Sequence, residues 1–370
     1  MSNAFFYLVF SEHPDRAVHL YLVTIASTTG CGMLIEVIDV GSRKSKAVCS
    51  VILYAVSMLT MLSHGQHDLY LIGRVVYGAA AALHHSSFEA YVVHEHGSLG
   101  FPDEWLGQTF ALLTHLMALL AFGLGIIGQM SAAAGGAHGV ILLSFVLFVS
   151  TAVYMSLTWS RDINTPRFMM GAFLNNVSLT FTSARKNRSL AYFILISALA
   201  ESSFTVFSYY WAQLITSTVK EDAEDIPYAL IFSAYICTSM IGAYIHNLFA
   251  SKIGVDIFFQ GVLSGLVASF SLASMVQTPM VVFLSSLAVY GFLGAYWPCI
   301  GTLRARAVGA EQRASSQAIV RSLSTLLAIL VLLKFHRSAT IIMIFCALAV
   351  AVAAFFQSRT MQQVSTFLSA

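Results

Sequence analysis

Residues 71 to 96 read LIGRVVYGAAAALHHSSFEAYVVHEH, a run long and apolar enough to cross a bilayer as a helix, yet set with an arginine, histidines and glutamates. At about 100° per residue, Arg74, Gly78, Ala81, His85 and Glu89 fall on one face, while Val75, Val76, Ala79, Leu83 and Val92 lie on others. An ionisable side chain facing lipid costs several kcal/mol, so this stripe is expected to face a bundle interior or a water-filled cavity. The rest of the chain is expected to enclose it.

The 370 residues are 58% hydrophobic and only 10% charged, a composition that reads as a polytopic membrane protein lying in the lipid bilayer. The net charge of +2 comes with no basic tract or aromatic-basic pattern, so nucleic acid is excluded as a partner. Five cysteines, Cys31, Cys49, Cys237, Cys299 and Cys346, are scattered through apolar runs and read as small apolar residues, not a disulfide framework or metal cluster. The opening MSNAFFYLVF is too short to span and reads as the stub of a first helix, truncated. Apolar runs of spanning length follow at about 18–38, 47–64, 69–95, 107–130, 138–159, 190–215, 227–249, 257–276, 280–303, 314–333 and 339–357. The expected fold is an all-α polytopic bundle of about eleven complete spans.

The longest connection, 160–189, carries Arg161, Arg167, Arg185, Lys186 and Arg188 and divides the chain into an N-terminal helical half, 1–159, and a C-terminal half, 190–370. Assigning alternate loops to opposite sides puts thirteen basic residues on the side of this linker and four on the other. That imbalance makes the linker and the C-terminus cytoplasmic. The acidic 220–225 loop then faces out. Asp39-Val-Gly-Ser-Arg43-Lys44 in the first half has a weaker counterpart, Ala-Ser-Lys252-Ile-Gly254, in the second, as parallel repeats related by an axis along the membrane normal would give.

Asp39-Val40-Gly41-Ser42-Arg43-Lys44 resembles the D-x-x-G-R-K signature of the major facilitator superfamily, with Ser42 where the family carries glycine; Arg74-Val-Val-Tyr-Gly78 resembles its R-x-x-x-G signature. Within that superfamily the chain is similar to the molybdate-anion transporter family. The likeness is carried by Ser87-Phe88-Glu89-Ala90-Tyr91, His94-Glu95-His96, Phe101-Pro102-Asp103-Glu104-Trp105-Leu106, Glu201-Ser-Ser, Ile226-Pro227-Tyr228 and Tyr296-Trp297-Pro298, with Arg304, Arg306, Arg313 and Arg321 after them. The resemblance implies a major facilitator fold of two six-helix halves, no cofactor, and alternating-access transport of a small oxyanion, molybdate favoured. The protein is expected to be a plasma-membrane monomer.

Three polar stripes are candidates to meet at a site: Arg74, His85 and Glu89; Ser197, Glu201, Thr205 and Ser208; and Gln317, Arg321, Ser324 and Thr325. A tetrahedral oxyanion needs fixed positive charge and several donors, which a guanidinium supplies without deprotonating. Arg74 and Arg321, with His85, Ser324 and Thr325, are therefore the candidate substrate-binding residues. Glu89 and Glu201 are the candidate coupling groups, because a desolvated carboxylate can change charge during a cycle. Each has a structural alternative. Arg74 can brace neighbouring helices, and Glu201 and Arg321 can form a mutual ion pair. The Asp39, Arg43 and Lys44 turn is the candidate gate. His94-Glu95-His96 lacks H-E-x-x-H spacing and reads as a solvated face, with no metal expected. No nucleophile–base pair suggests an enzyme. The alternatives are a transporter of another solute, such as a sugar or organic anion, or a non-transporting paralogue or receptor.

Overall fold

The structure, a computed structural model, describes residues 14–39, 42–62, 67–102, 105–159, 167–168, 170–219, 226–276, 278–308 and 313–368. The 1–10 segment and the acidic 220–225 loop lie outside the described residues. The elements are α1 (Pro14–Val37), β1 (Ile38–Asp39), α2 (Arg43–Met61), α3 (His67–Ser98), α4 (Leu106–Thr158), β2 (Arg167–Phe168), α5 (Met170–Lys186), α6 (Arg188–Thr216), α7 (Tyr228–Ile253), α8 (Val255–Met275), α9 (Pro279–Ala307), α10 (Arg313–Phe335) and α11 (Ala339–Leu368). Every apolar run read from the sequence falls on one of these helices to within a few residues.

Among the described residues, nine helical segments are long and apolar enough to cross a membrane. One of them, Leu116–Thr158, holds two expected spans. It breaks at Gly135 and Gly136, where Gly136 has φ 58° and ψ −149°, a conformation that only glycine adopts readily. The chain forms two compact units, Leu8–Leu120 with Ile126–Phe173, and Leu174–Ala370 with Ala121–Gly125.

In the N-terminal unit α3 packs against α1 and α2. Ser42 is extended (φ −69°, ψ 148°) and its hydroxyl accepts from the Ser45 amide at 3.1 Å, so it caps α2. This explains the serine at a position where the family carries glycine: the backbone needs no positive φ, and a capping oxygen is worth about 1 kcal/mol. β1 pairs antiparallel with β2, Asp39 opposite Arg167. The sequence reading has no strand here, since two residues carry no periodicity.

Part of the 160–189 linker is itself helical. Met170–Lys186 is a helix, and from Leu174 on it clusters with the C-terminal unit. Its buried Thr180 hydroxyl meets Ser315 at 2.8 Å. The run of Asn, Ser and Thr hides this helix from a hydropathy reading, because its contact is made by hydroxyls.

In the C-terminal unit α6 touches α9, α10 and α11 and is buried along most of its length. Aromatic rings fill the space around it, with Trp211 against Tyr235 at 5.2 Å, Tyr235 stacked on Tyr290 at 4.7 Å and Phe207 edge-on to Phe270 at 5.5 Å. Small residues bring α6 and α11 together: Ser203 Oγ donates to the Cys346 carbonyl at 3.4 Å, and the Cys346 thiol donates back to the Ser203 carbonyl at 3.6 Å. Large apolar side chains such as Met117, Leu119, Met130 and Leu157 stay exposed along α4, as lipid contact requires.

Candidate functional site

In the N-terminal unit the stripe of α3 is closed over its first two turns. A Cβ on Gly78 would lie 2.0 Å from Ser27 Oγ, so glycine here permits the close approach of α1. Arg74 is 3% exposed; its Nη2 donates to Met61 Sδ at 2.9 Å and its guanidinium carbon sits 5.6 Å from the Tyr77 ring centroid. Ser27 Oγ reaches the Arg74 carbonyl at 3.4 Å. These contacts are those of a brace. Of the stripe, Arg74, Gly78 and Ala81 are packed within the unit, which is the bundle-interior alternative, while His85, further along, is exposed. His84 packs 4.3 Å from Phe88. The side chains of Asp39 and Glu89 lie outside the described residues.

His96 also departs from its expected solvated place. It is 6% exposed, with Nε2 bound to the Pro102 carbonyl at 3.0 Å and Nδ1 to Thr109 Oγ1 at 3.2 Å. It ties the turn between α3 and α4. A histidine two residues from a helix end gives no sequence signal of this, since the acceptor is a main-chain carbonyl.

Within the Asp39–Lys44 turn, Arg43 opens α2, and Lys44 Nζ donates to the carbonyls of Ser156 and Trp159 at 2.9 and 2.6 Å. These belong to the last turn of α4 and the residue after it, where carbonyls lack helical partners and the helix dipole favours a cation. Lys44→Met is expected to lower stability by about 1 kcal/mol without changing solute affinity, which thermal unfolding and a binding titration on the same sample would check.

The C-terminal unit gathers the denser polar set. Ser197 and Glu201 sit one turn apart on α6, 1% and 8% exposed. The helices α9 and α10, which carry Arg304 and Arg321, both pack against α6. The Tyr296 hydroxyl, fully buried, feels Glu201 and Arg304 and faces Ser197 without reaching ordinary hydrogen-bond geometry. Among the described residues, the buried atoms Ser197 Oγ, Glu201 Oε1, Tyr296 Oη and Arg304 Nε have no hydrogen-bond partner, and neither does Gln317 Oε1 on α10. A buried polar atom left unpaired costs about 1–3 kcal/mol, so such a concentration points to a ligand or water that completes it.

Pro298 lies between Tyr296 and Arg304 inside α9. It has no N–H for the Gly294 carbonyl, and this weak point separates the turn that carries Arg304 from the turn that carries Tyr296. Of the other expected residues, Ser324 is buried and its hydroxyl donates to the Arg321 carbonyl at 3.0 Å. Thr325 is half-buried one position further on.

The sequence reading places Glu201, Arg321 and Gln317 in stripes but counts Arg304 among the loop cations. The helix runs to Ala307, beyond the end expected at 303, and this extra turn brings Arg304 into the cluster. Tyr296 gives no polar signal because a tyrosine in an apolar run reads as core.

Comparisons with known proteins agree with this architecture. A molybdate-anion transporter of Danio rerio is 24% identical over 328 residues, 80% of this chain and 66% of that protein. Another of Xenopus tropicalis is 26% identical over 313 residues, with the same coverage. The chain thus spans 66% of the length of these relatives. The crystal structure of the nucleoside transporter NupG superposes with a TM-score of 0.72 at 13% identity, covering 97% of this chain and 93% of that one, which fixes the fold. The profile of the MFS_5 family, described as sugar transporters with 12 transmembrane segments, matches residues 5–296. With most of its length inside that match, the chain is a multi-pass membrane protein that belongs to the MFS_5 family of the major facilitator superfamily, as its motifs implied.

Proposed function

We propose that the protein is a secondary transporter of a small inorganic oxyanion, molybdate first among them, working by alternating access. The observation that carries this reading is the set of buried polar atoms left without a partner on α6 and α9, Ser197 Oγ, Glu201 Oε1 and Tyr296 Oη, with the cations Arg304 and Arg321 carried by α9 and α10, which both pack against α6. Fixed positive charge with orphaned donors suits a tetrahedral anion, and the names of the relatives point the same way. In this reading Arg321 holds the anion and Glu201 couples its movement to protons. Arg74 holds the N-terminal unit in shape, and the Asp39, Arg43 and Lys44 turn is the gate. His85, Thr325 and Glu89 keep the supporting roles of substrate contact and second coupling group. The protein works as a monomer in the plasma membrane, with residues 160–189 and the C-terminus in the cytoplasm.

The description of the family as sugar transporters favours a second reading. Neutral sugars are held by amides, hydroxyls and ring faces, and two guanidinium groups beside a carboxylate serve them poorly. Thermal unfolding of the purified protein against molybdate, tungstate, sulfate, glucose and fucose separates the two. A ligand at a hundred times its dissociation constant stabilises by about 2.7 kcal/mol. Molybdate is expected to raise the transition temperature and the sugars to leave it unchanged; the reverse pattern would put the sugar reading in its place.

A further inference from the structure

We propose that the C-terminal unit holds a second small-molecule site, in which Asp256 and Arg306 take the ammonium and the carboxylate of an α-amino acid while its apolar side chain enters the cavity behind them. This site is separate from the unpaired polar atoms of α6 and α9, and it stands whether or not the oxyanion reading does.

The helices α6, α8, α9 and α11 enclose a cavity of about 330 Å³. Its apolar wall is Phe193, Ile196, Phe259 and Ile300, all buried, and its border with solvent is Asp256 and Arg306, both part exposed. Arg306 Nη1 lies 3.3 Å from Asp256 Oδ2, and the buried Gln357 amide donates to Asp256 Oδ1 at 3.5 Å. Helix ends fix these charges. Asp256 stands in the first turn of α8, where the backbone favours an anion, and Arg306 in the last turn of α9, where it favours a cation.

The pair has capacity to spare. A carboxylate offers about four acceptor sites and a guanidinium five donors, and 3.3 Å is longer than the roughly 2.7–2.9 Å of a strong charge-assisted bond. A part-exposed pair holds weakly and parts at little cost. Opposite charges this close match a ligand whose own opposite charges are adjacent, as ammonium and carboxylate are on one carbon. A carboxylate alone would also meet Asp256, and an amine alone Arg306. Small-molecule pockets run from about 300 to 1,000 Å³, with an apolar lining and a few polar groups that fix orientation. A cavity at the lower end of that range suits one apolar side chain, not a lipid acyl chain.

The N-terminal unit shows the contrast. Ser42 and Gly254 cap α2 and α8 at corresponding places in the two halves, so Lys44 and Asp256 both stand second in their helices. Lys44 is held by main-chain carbonyls at 2.9 and 2.6 Å. The contacts of Asp256 are longer and made with side chains, which rotate.

The test is equilibrium binding of labelled L-phenylalanine to the purified full chain in detergent, and saturable binding is expected. Phenethylamine and 3-phenylpropionate each lack one charge and glycine lacks the side chain, so each should compete about tenfold more weakly or worse. Arg306→Gln and Asp256→Asn change part-exposed side chains; both should keep the transition temperature and weaken binding by a similar factor. Saturating molybdate should leave phenylalanine bound. Absence of saturable binding would overturn the inference. So would competition by either single-charge analogue as strong as that of phenylalanine, displacement by molybdate, or tighter binding of short-chain phosphatidylethanolamine at the same residues.

Discussion

Gly294→Leu is expected to abolish folded protein. A Cβ at this position would stand 1.8 Å from the Ser239 carbonyl oxygen and 2.8 Å from its Cα, both main-chain atoms of α7 that cannot rotate away. The same crossing is tight at Gly242, where an added Cβ would meet the Gly291 carbonyl oxygen at 1.8 Å. Membrane helices gain little hydrophobic drive from meeting one another and rely on such close backbone contact. Separating α7 from α9 is expected to cost on the order of 4 kcal/mol or more, against a total stability of about 5–15 kcal/mol. Gly301 lies on the same helix with nothing within 4 Å of its added Cβ, so Gly301→Ala should fold as the parent does. Detergent-solubilised yield on a sizing column reads both. A normal monomer peak for Gly294→Leu would show that the α7–α9 crossing is looser than described.

The second large effect is functional. Glu201→Gln keeps the volume of a buried side chain whose Oε1 has no hydrogen-bond partner, so on the coupling reading the transition temperature should hold. It also fixes that side chain as neutral. Uptake driven by a pH gradient should disappear, while exchange of molybdate across the membrane should persist. If Glu201 instead serves to pair the arginines, removing it leaves them facing each other without a counter-charge, at about 3–5 kcal/mol for a broken buried pair. Folded yield would then fall together with every mode of transport. Counterflow and thermal unfolding on one preparation distinguish the two outcomes.

The helices were legible in the sequence because the bilayer enforces length and hydropathy, two properties that a single chain displays directly. The small contacts were not. Asp39 opposite Arg167 joins residues 128 positions apart through two backbone pairs, and α5 hides in a polar stretch that meets α10 through the hydroxyls of Thr180 and Ser315. The site was half legible. Glu201 and Arg321 stand out because a charge inside an apolar run is costly. Arg304 was lost at a helix end, where sequence reading is weakest. Arg74 stands out for the same reason as Glu201 and turns out to be enclosed by Met61, Tyr77 and Ser27. Intramembrane charge marks a constraint, and only the neighbours tell whether the constraint is a ligand or a brace.

The most direct measurement is uptake of labelled molybdate into proteoliposomes containing the full chain, with the outside more acidic than the lumen and again with no gradient. The account predicts saturable uptake that exceeds equilibrium under the gradient, is competed by tungstate but not by glucose or fucose, and is lost in Arg321→Gln of normal folded yield. Molybdate entry no faster than into protein-free vesicles, with saturable uptake of a sugar by the same preparation, would contradict it.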